Sequence, residues 1–140
     1  MTPRQENLIR TSWAQVAPIA DVAATIFYDR LFELDPSLRP MFAHTDMAGQ
    51  RRNLMQTLTV VVKSIDRLGE IVPAVQALGR RHAGYGVKPE HFATVGQALL
   101  DTLAVGLGEA FTPDVREAWA TAYGVLADVM MEAMAESVAA

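Results

Sequence analysis

The chain has 140 residues, 51% of them hydrophobic and 20% charged, with a formal net charge of -4 and no cysteine. That length fits one globular domain over 1–140, and the composition excludes an intrinsically disordered chain. Without cysteine there is no disulfide, thiol catalysis or thiolate metal site, and the acidic balance gives no reason to expect nucleic acid. The start, Met1-Thr2-Pro3-Arg4-Gln5-Glu6, carries no apolar signal region, and no stretch approaches the roughly 20 apolar residues of a membrane span. The expectation is a cytoplasmic protein.

Nearly every segment reads as helix. Thr2 can cap a first helix with Pro3 at its first position, and Leu8, Ile9, Trp13 and Val16 form its inner stripe. Pro18 interrupts. A second helix follows, with Val22, Ile26 and Leu31 inside and Phe27, Tyr28 and Phe32 close by, and it ends at Leu34-Asp35-Pro36. Pro36 to Met41 has room for a turn or two. Phe42 then enters a loop holding His44, after which Thr45 or Asp46 can cap a helix carrying Leu54, Leu58, Val61, Val62 and Ile65.

The next segment places Ile71, Val75 and Leu78 at spacings of four and three, with His82 four residues further on the same face, before Gly84 and Gly86 stop the helix. A neutral imidazole at a helix end against an apolar cavity can bind a metal or haem iron. A hydrogen-bonded structural histidine fits the same spacing. Lys88-Pro89-Glu90 opens a helix with Phe92, Val95, Leu99, Leu100 and Leu103 inward, ending at Gly106 and Gly108. Thr112-Pro113 starts the last one, which shows Val115, Trp119, Tyr123, Leu126, Met130 and Met134 at helical spacing. There is no strand alternation, repeat or linker, so the fold class is all-α.

Taken in order, these segments resemble a globin. The likeness is carried by Phe27-Tyr28-Asp29-Arg30-Leu31-Phe32, by Asp35 to Phe42, by Leu78 to Val87, by Phe92 to Leu100, and by the approach and start of the last helix, Leu107 to Pro113 and Ala118 to Gly124. The front half is similar to bacterial single-domain haemoglobins and to the haem domain of flavohaemoglobins. The His82 region and Phe111-Thr112-Pro113 look closer to neuroglobin.

The resemblance implies a three-over-three helical sandwich around haem b. It makes His82 the proximal iron ligand and sets Phe42 against the haem, with Leu54, Val61, Leu78, Val87 and Val95 as pocket lining. On the distal side it sets Gln50 where many globins carry a histidine, and Tyr28 pointing at the same space. Both can donate to a bound diatomic gas, and Gln50 is a poor iron ligand, so an open sixth position is expected. Two departures stand out. Flavohaemoglobins and their single-domain relatives have a tyrosine and a glutamate hydrogen-bonding near the proximal histidine, and the matching positions here are Phe92 and Met134. Losing such partners implies less electron push toward iron.

His44 reads as a solvated loop residue able in principle to swing in as a ligand, and His91 as a structural residue at a helix start. Arg51, Arg52, Arg80 and Arg81 either meet haem propionates or form solvated faces. The function implied is reversible binding of dioxygen, with CO and NO as further ligands. The alternatives are nitric oxide dioxygenation with a separate reductase, since no flavin or nicotinamide domain fits after Ser137, and a gas or redox sensor. A binding protein is favoured over an enzyme, as a monomer or homodimer.

Overall fold

A computed structural model describes residues 1–139, with side chains through residue 136, so the expected domain end at 140 lies outside the described residues. Six α-helices follow in order: α1 (Pro3–Val16), α2 (Ala20–Leu34), α3 (Met47–Lys63), α4 (Leu68–Gly84), α5 (Pro89–Leu107) and α6 (Pro113–Ala139). No strand occurs among the described residues, and no helix there is long and apolar enough to cross a membrane. The all-α expectation holds.

The helix boundaries follow from local chemistry. Thr2 accepts from the Gln5 N–H while the Gln5 side chain accepts from the Thr2 N–H, closing a capping box in front of Pro3. Pro18, lacking an N–H, breaks the run into a short 3-10 turn, Ala17–Ile19. Pro36 and Pro40 hold Pro36–Phe42 in the tighter 3-10 form. Gly86 (φ 85°) turns the chain out of α4, and Gly108 (φ 57°) out of α5, both in the region that only glycine enters cheaply. The Thr112 hydroxyl accepts from the Val115 N–H at 3.3 Å, the expected cap of α6. Asp46 stands at the N-cap of α3, although its side chain makes no capping bond.

The core sits where α1, α2, α5 and α6 cross, built on Ile9, Trp13, Val16, Phe27, Leu31, Leu99, Leu103 and Trp119. Polar closure of the α1–α6 crossing is complete. The Trp119 indole N–H donates to the Ser12 hydroxyl at 2.9 Å, and that hydroxyl donates to the Leu8 carbonyl oxygen at 2.7 Å. Leaving that buried N–H without an acceptor would cost on the order of 1–3 kcal/mol. Outside the core, Arg30 bridges α2 to α5 through Asp101 at 2.7 Å.

Val22 corrects the expectation for α2. It is 57% exposed, and the inward face of that turn belongs to Ala23 and Ala24. The small side chains win because α2 lies close against α5, and Val22 stands one position off the buried stripe of Ala24, Phe27, Tyr28 and Leu31. Ile26 is only half-buried.

Helices α3 and α4 are joined by the three-residue turn Ile65–Arg67, and they separate from there. Among the described residues, α3 packs on α1 and α2 while α4 packs on α6, and no substantial interface joins α3 to α4. Leu54 and Leu58 on α3 and Leu78 on α4 are half-buried.

Candidate functional site

Tyr28 is the anchor on the α2 side. It is 6% exposed, and its ring meets Phe27 edge-on at 4.9 Å and Phe42 edge-on at 5.8 Å between centroids. Phe42 in turn packs edge-on against Phe32 at 5.4 Å, with the Arg39 guanidinium 4.7 Å above the Phe32 ring. Such edge-to-face pairs fix ring orientation as well as burying area. The tight 3-10 run Pro36–Phe42 sets Phe42 among these rings, and Phe42 remains half-buried.

Gln50 lies in the first turn of α3 and is half-buried. Burial pushes the Tyr28 phenol above its ordinary pKa, while the Gln50 amide and, more weakly, the Arg51 positive charge pull against it. Tyr28, Gln50 and Phe42 therefore form one group. A neutral phenol beside an amide presents hydrogen-bond donors to whatever occupies the neighbouring space.

His82 stands apart from them, in the last turn of α4. Its Nδ1 lies 2.7 Å from the Leu78 carbonyl oxygen, four residues back. A carbonyl can only accept, so the proton of the neutral ring is assigned to Nδ1. That leaves Nε2 with a free lone pair, the state an imidazole needs to bind a metal. The His82 carbonyl oxygen accepts from the Tyr85 N–H at 3.0 Å and the Val87 N–H at 3.1 Å, which ties the helix end to the glycine-rich corner. The ring itself is half-buried, and the Tyr85 ring meets it at 5.9 Å and 63°.

The remaining lining candidates divide. Leu54, Leu78, Val87 and Val95 are half-buried, whereas Val61 is 7% exposed and belongs to the main core. Val87 packs with Phe92, Tyr123, Ala127 and Met134 in a second, smaller cluster. Phe92 and Met134, both buried, face one another through that cluster rather than hydrogen-bonding to His82.

Two tyrosines carry roles that helical spacing alone does not reveal. The Tyr123 hydroxyl donates to the Phe92 carbonyl oxygen at 2.7 Å, pinning α6 to the start of α5. The residue pattern offers one clue to it, Gly96, where a Cβ would come within 2.8 Å of the Tyr123 ring. Tyr85 is the second, an exposed aromatic touching His82. The other histidines stay outside the group. His44 is exposed in the loop before α3, and the His91 Nδ1 accepts from the Lys88 N–H at 3.0 Å, the structural role expected. Arg52, Arg80 and Arg81 are exposed and Arg51 half-buried.

Comparison with known proteins agrees with this architecture. The globin family model matches residues 25–130. The flavohemoprotein of Bacillus subtilis is 41% identical over 107 residues, which are 75% of this chain and 27% of that protein. The chain thus spans little more than a quarter of the length of the flavohemoprotein it matches. Neuroglobin of Tetraodon nigroviridis is 31% identical and is covered over 94% of its length, with 98% of this chain aligned. Among solved structures, a bacterial globin from Campylobacter jejuni superposes with a TM-score of 0.87 at 23% identity, covering 99% of this chain and all of that one. An engineered carbene transferase made from a provisionally assigned nitric oxide dioxygenase of Rhodothermus marinus gives 0.89 at 25% identity, covering 99% and 96%. The matched span, the near full-length relative and the order of the helices agree: this chain belongs to the globin family.

Proposed function

We propose that this globin holds haem b in the seam between α3 and α4 and binds dioxygen reversibly at an open distal position, with CO and NO as further ligands. The observation that carries the reading is the His82 ring, whose Nδ1–H is committed to the Leu78 carbonyl so that Nε2 is free. A single imidazole, on a chain that leaves Leu54, Leu78, Val87 and Val95 half-buried, suits a flat apolar group that brings its own metal donors. Haem, if bound, would supply an iron able to take a diatomic gas.

The chain's own residues do the rest. His82 would hold the metal through Nε2, with its ring orientation set by the bond to the Leu78 carbonyl. Phe42, fixed by Tyr28 and Phe32, would pack against the group. Tyr28 and Gln50 would offer hydrogen-bond donors to a gas ligand carrying partial negative charge. Burial raises the Tyr28 pKa further above the neutral range, so its hydroxyl keeps its proton and remains a donor. Gln50 offers no nitrogen lone pair, so it stabilises a ligand without replacing it.

A second reading, nitric oxide dioxygenation with electrons from a reductase, draws support from the flavohemoprotein and the Rhodothermus marinus neighbour. Phe92 and Met134 argue for the binding role. Neither side chain can accept a hydrogen bond from His82, whose only acceptor among the described residues is a neutral carbonyl. Titration with haemin tests the proposal. Wild type is expected to take up one equivalent and give a Soret band, and His82→Ala is expected to bind weakly and to regain an axial ligand from added imidazole. Equal binding and spectra for both would assign the ligand elsewhere.

A further inference from the structure

We propose that the surface around Tyr85 is a docking site for an acidic electron-donor protein, resting on the reading of His82 as a haem ligand. Tyr85 is 66% exposed, yet its ring meets the His82 ring edge-on at 5.9 Å. It is thus a solvent-facing aromatic one ring contact from the imidazole. Around it stand Arg80 and Arg81 in the last turn of α4 and Lys88 just before α5, all exposed.

Among the described residues none of these three cations lies in an ion pair, whereas Arg4, Arg10, Arg30 and Arg67 are each matched to a carboxylate. Between positions 80 and 90 the chain sets three cations against one carboxylate, Glu90, although the whole molecule carries a net charge of -4. Positive charge is therefore concentrated and left unneutralised beside the exposed aromatic. An aromatic centre with a cationic rim is the composition of a protein interface, and one exposed ring with three cations suits a transient complex of the electron-transfer kind. Clustered charge of one sign speeds encounter with a partner of the other sign by roughly 10- to 1,000-fold at low salt.

The chemistry is a single electron transfer. With haem bound, one electron would pass from a reduced flavin in the partner, leaving it one electron more oxidised, to ferric iron, with no atom transferred between the proteins. A donor seated on Tyr85 reaches His82 through the contact between the two rings.

The test uses the haem-loaded full chain with flavodoxin as the acidic flavin probe. Binding is followed by calorimetry and iron reduction by stopped-flow absorbance, both across ionic strength. Wild type is expected to bind and be reduced at low salt and to lose both as salt rises. Arg80→Glu combined with Arg81→Glu is expected to slow reduction by roughly tenfold or more, and Tyr85→Ala to slow it with Tyr85→Phe close to wild type. Arg116→Glu, on the remote start of α6, is expected to match wild type, and dithionite is expected to reduce all variants equally. Reduction that ignores both salt and the paired substitution would overturn the proposal. A preparation lacking a Soret band would sink the haem assignment and the redox role with it, while calorimetry would still report whether flavodoxin seats on the patch.

Discussion

The Nδ1 of His82 and the carbonyl oxygen of Leu78 lie 2.7 Å apart, one helical turn from each other. Among the described residues no other group hydrogen-bonds to the ring, so this bond assigns the tautomer, and the Tyr85 ring packs edge-on beside it. A neutral carbonyl raises imidazole basicity less than a carboxylate does. On the proposed reading His82 would be a weakly pushed ligand, suited to holding a gas rather than splitting a bond in it.

Tyr28 is the first place to test that account. Replacing it by Phe keeps the ring and its contacts with Phe27 and Phe42 while deleting the hydroxyl. One hydrogen bond contributes about 1 kcal/mol, so dioxygen release is expected to quicken roughly fivefold. Stopped-flow displacement of dioxygen by CO reads the rate. An unchanged rate would remove Tyr28 from the distal group.

Gly79 sets how closely α4 approaches α6. A Cβ there would lie 2.7 Å from the Met130 carbonyl oxygen and 2.9 Å from its Cα, both backbone atoms that cannot step aside. Gly79→Ala is expected to destabilise by about 2 kcal/mol, an overpacking cost that outweighs the helix-propensity gain of about 1 kcal/mol. Gly124, in α6, has nothing within 4 Å of its would-be Cβ. Gly124→Ala is expected to stabilise by up to about 1 kcal/mol. Urea unfolding of the two variants separates a packing role from a generic glycine effect; destabilisation of equal size in both would contradict it.

Alkaline stability follows from the two buried phenols. Burial raises the pKa of both Tyr28 and Tyr123 above the unfolded value of about 10. The folded state therefore binds protons more tightly. Its stability from this source is whole below pH about 10 and drains as pH climbs from there through the folded pKa values. The unfolding midpoint is expected to fall steeply above pH about 10, with phenolate absorbance from these two residues arriving together with unfolding. Their titration inside a still-folded protein would contradict the burial argument.

The helices were legible because their signals are local. Thr2-Pro3, Thr112-Pro113 and the glycines at 86 and 108 each act within a turn of the chain, and the structure ends its helices there. Which side of a helix turns inward is a tertiary property. Val22 fits the apolar period but yields to Ala23 and Ala24, because closeness to α5 rewards small side chains. At the candidate site, residue type suggests a boundary position for Tyr28, and only its packing between Phe27 and Phe42 buries it. The Tyr123 bond to Phe92 spans 31 positions and leaves no periodic trace, and Tyr85 looks like an ordinary turn residue until its ring is seen against His82.

The most direct test of the central claim is the absorption spectrum of the purified ferrous protein with and without carbon monoxide. The proposal, with His82 as the one protein ligand and Gln50 unable to coordinate, predicts a five-coordinate ferrous spectrum that shifts to a six-coordinate one on adding the gas. A six-coordinate ferrous spectrum before any ligand is added, or no Soret band at all, would contradict it.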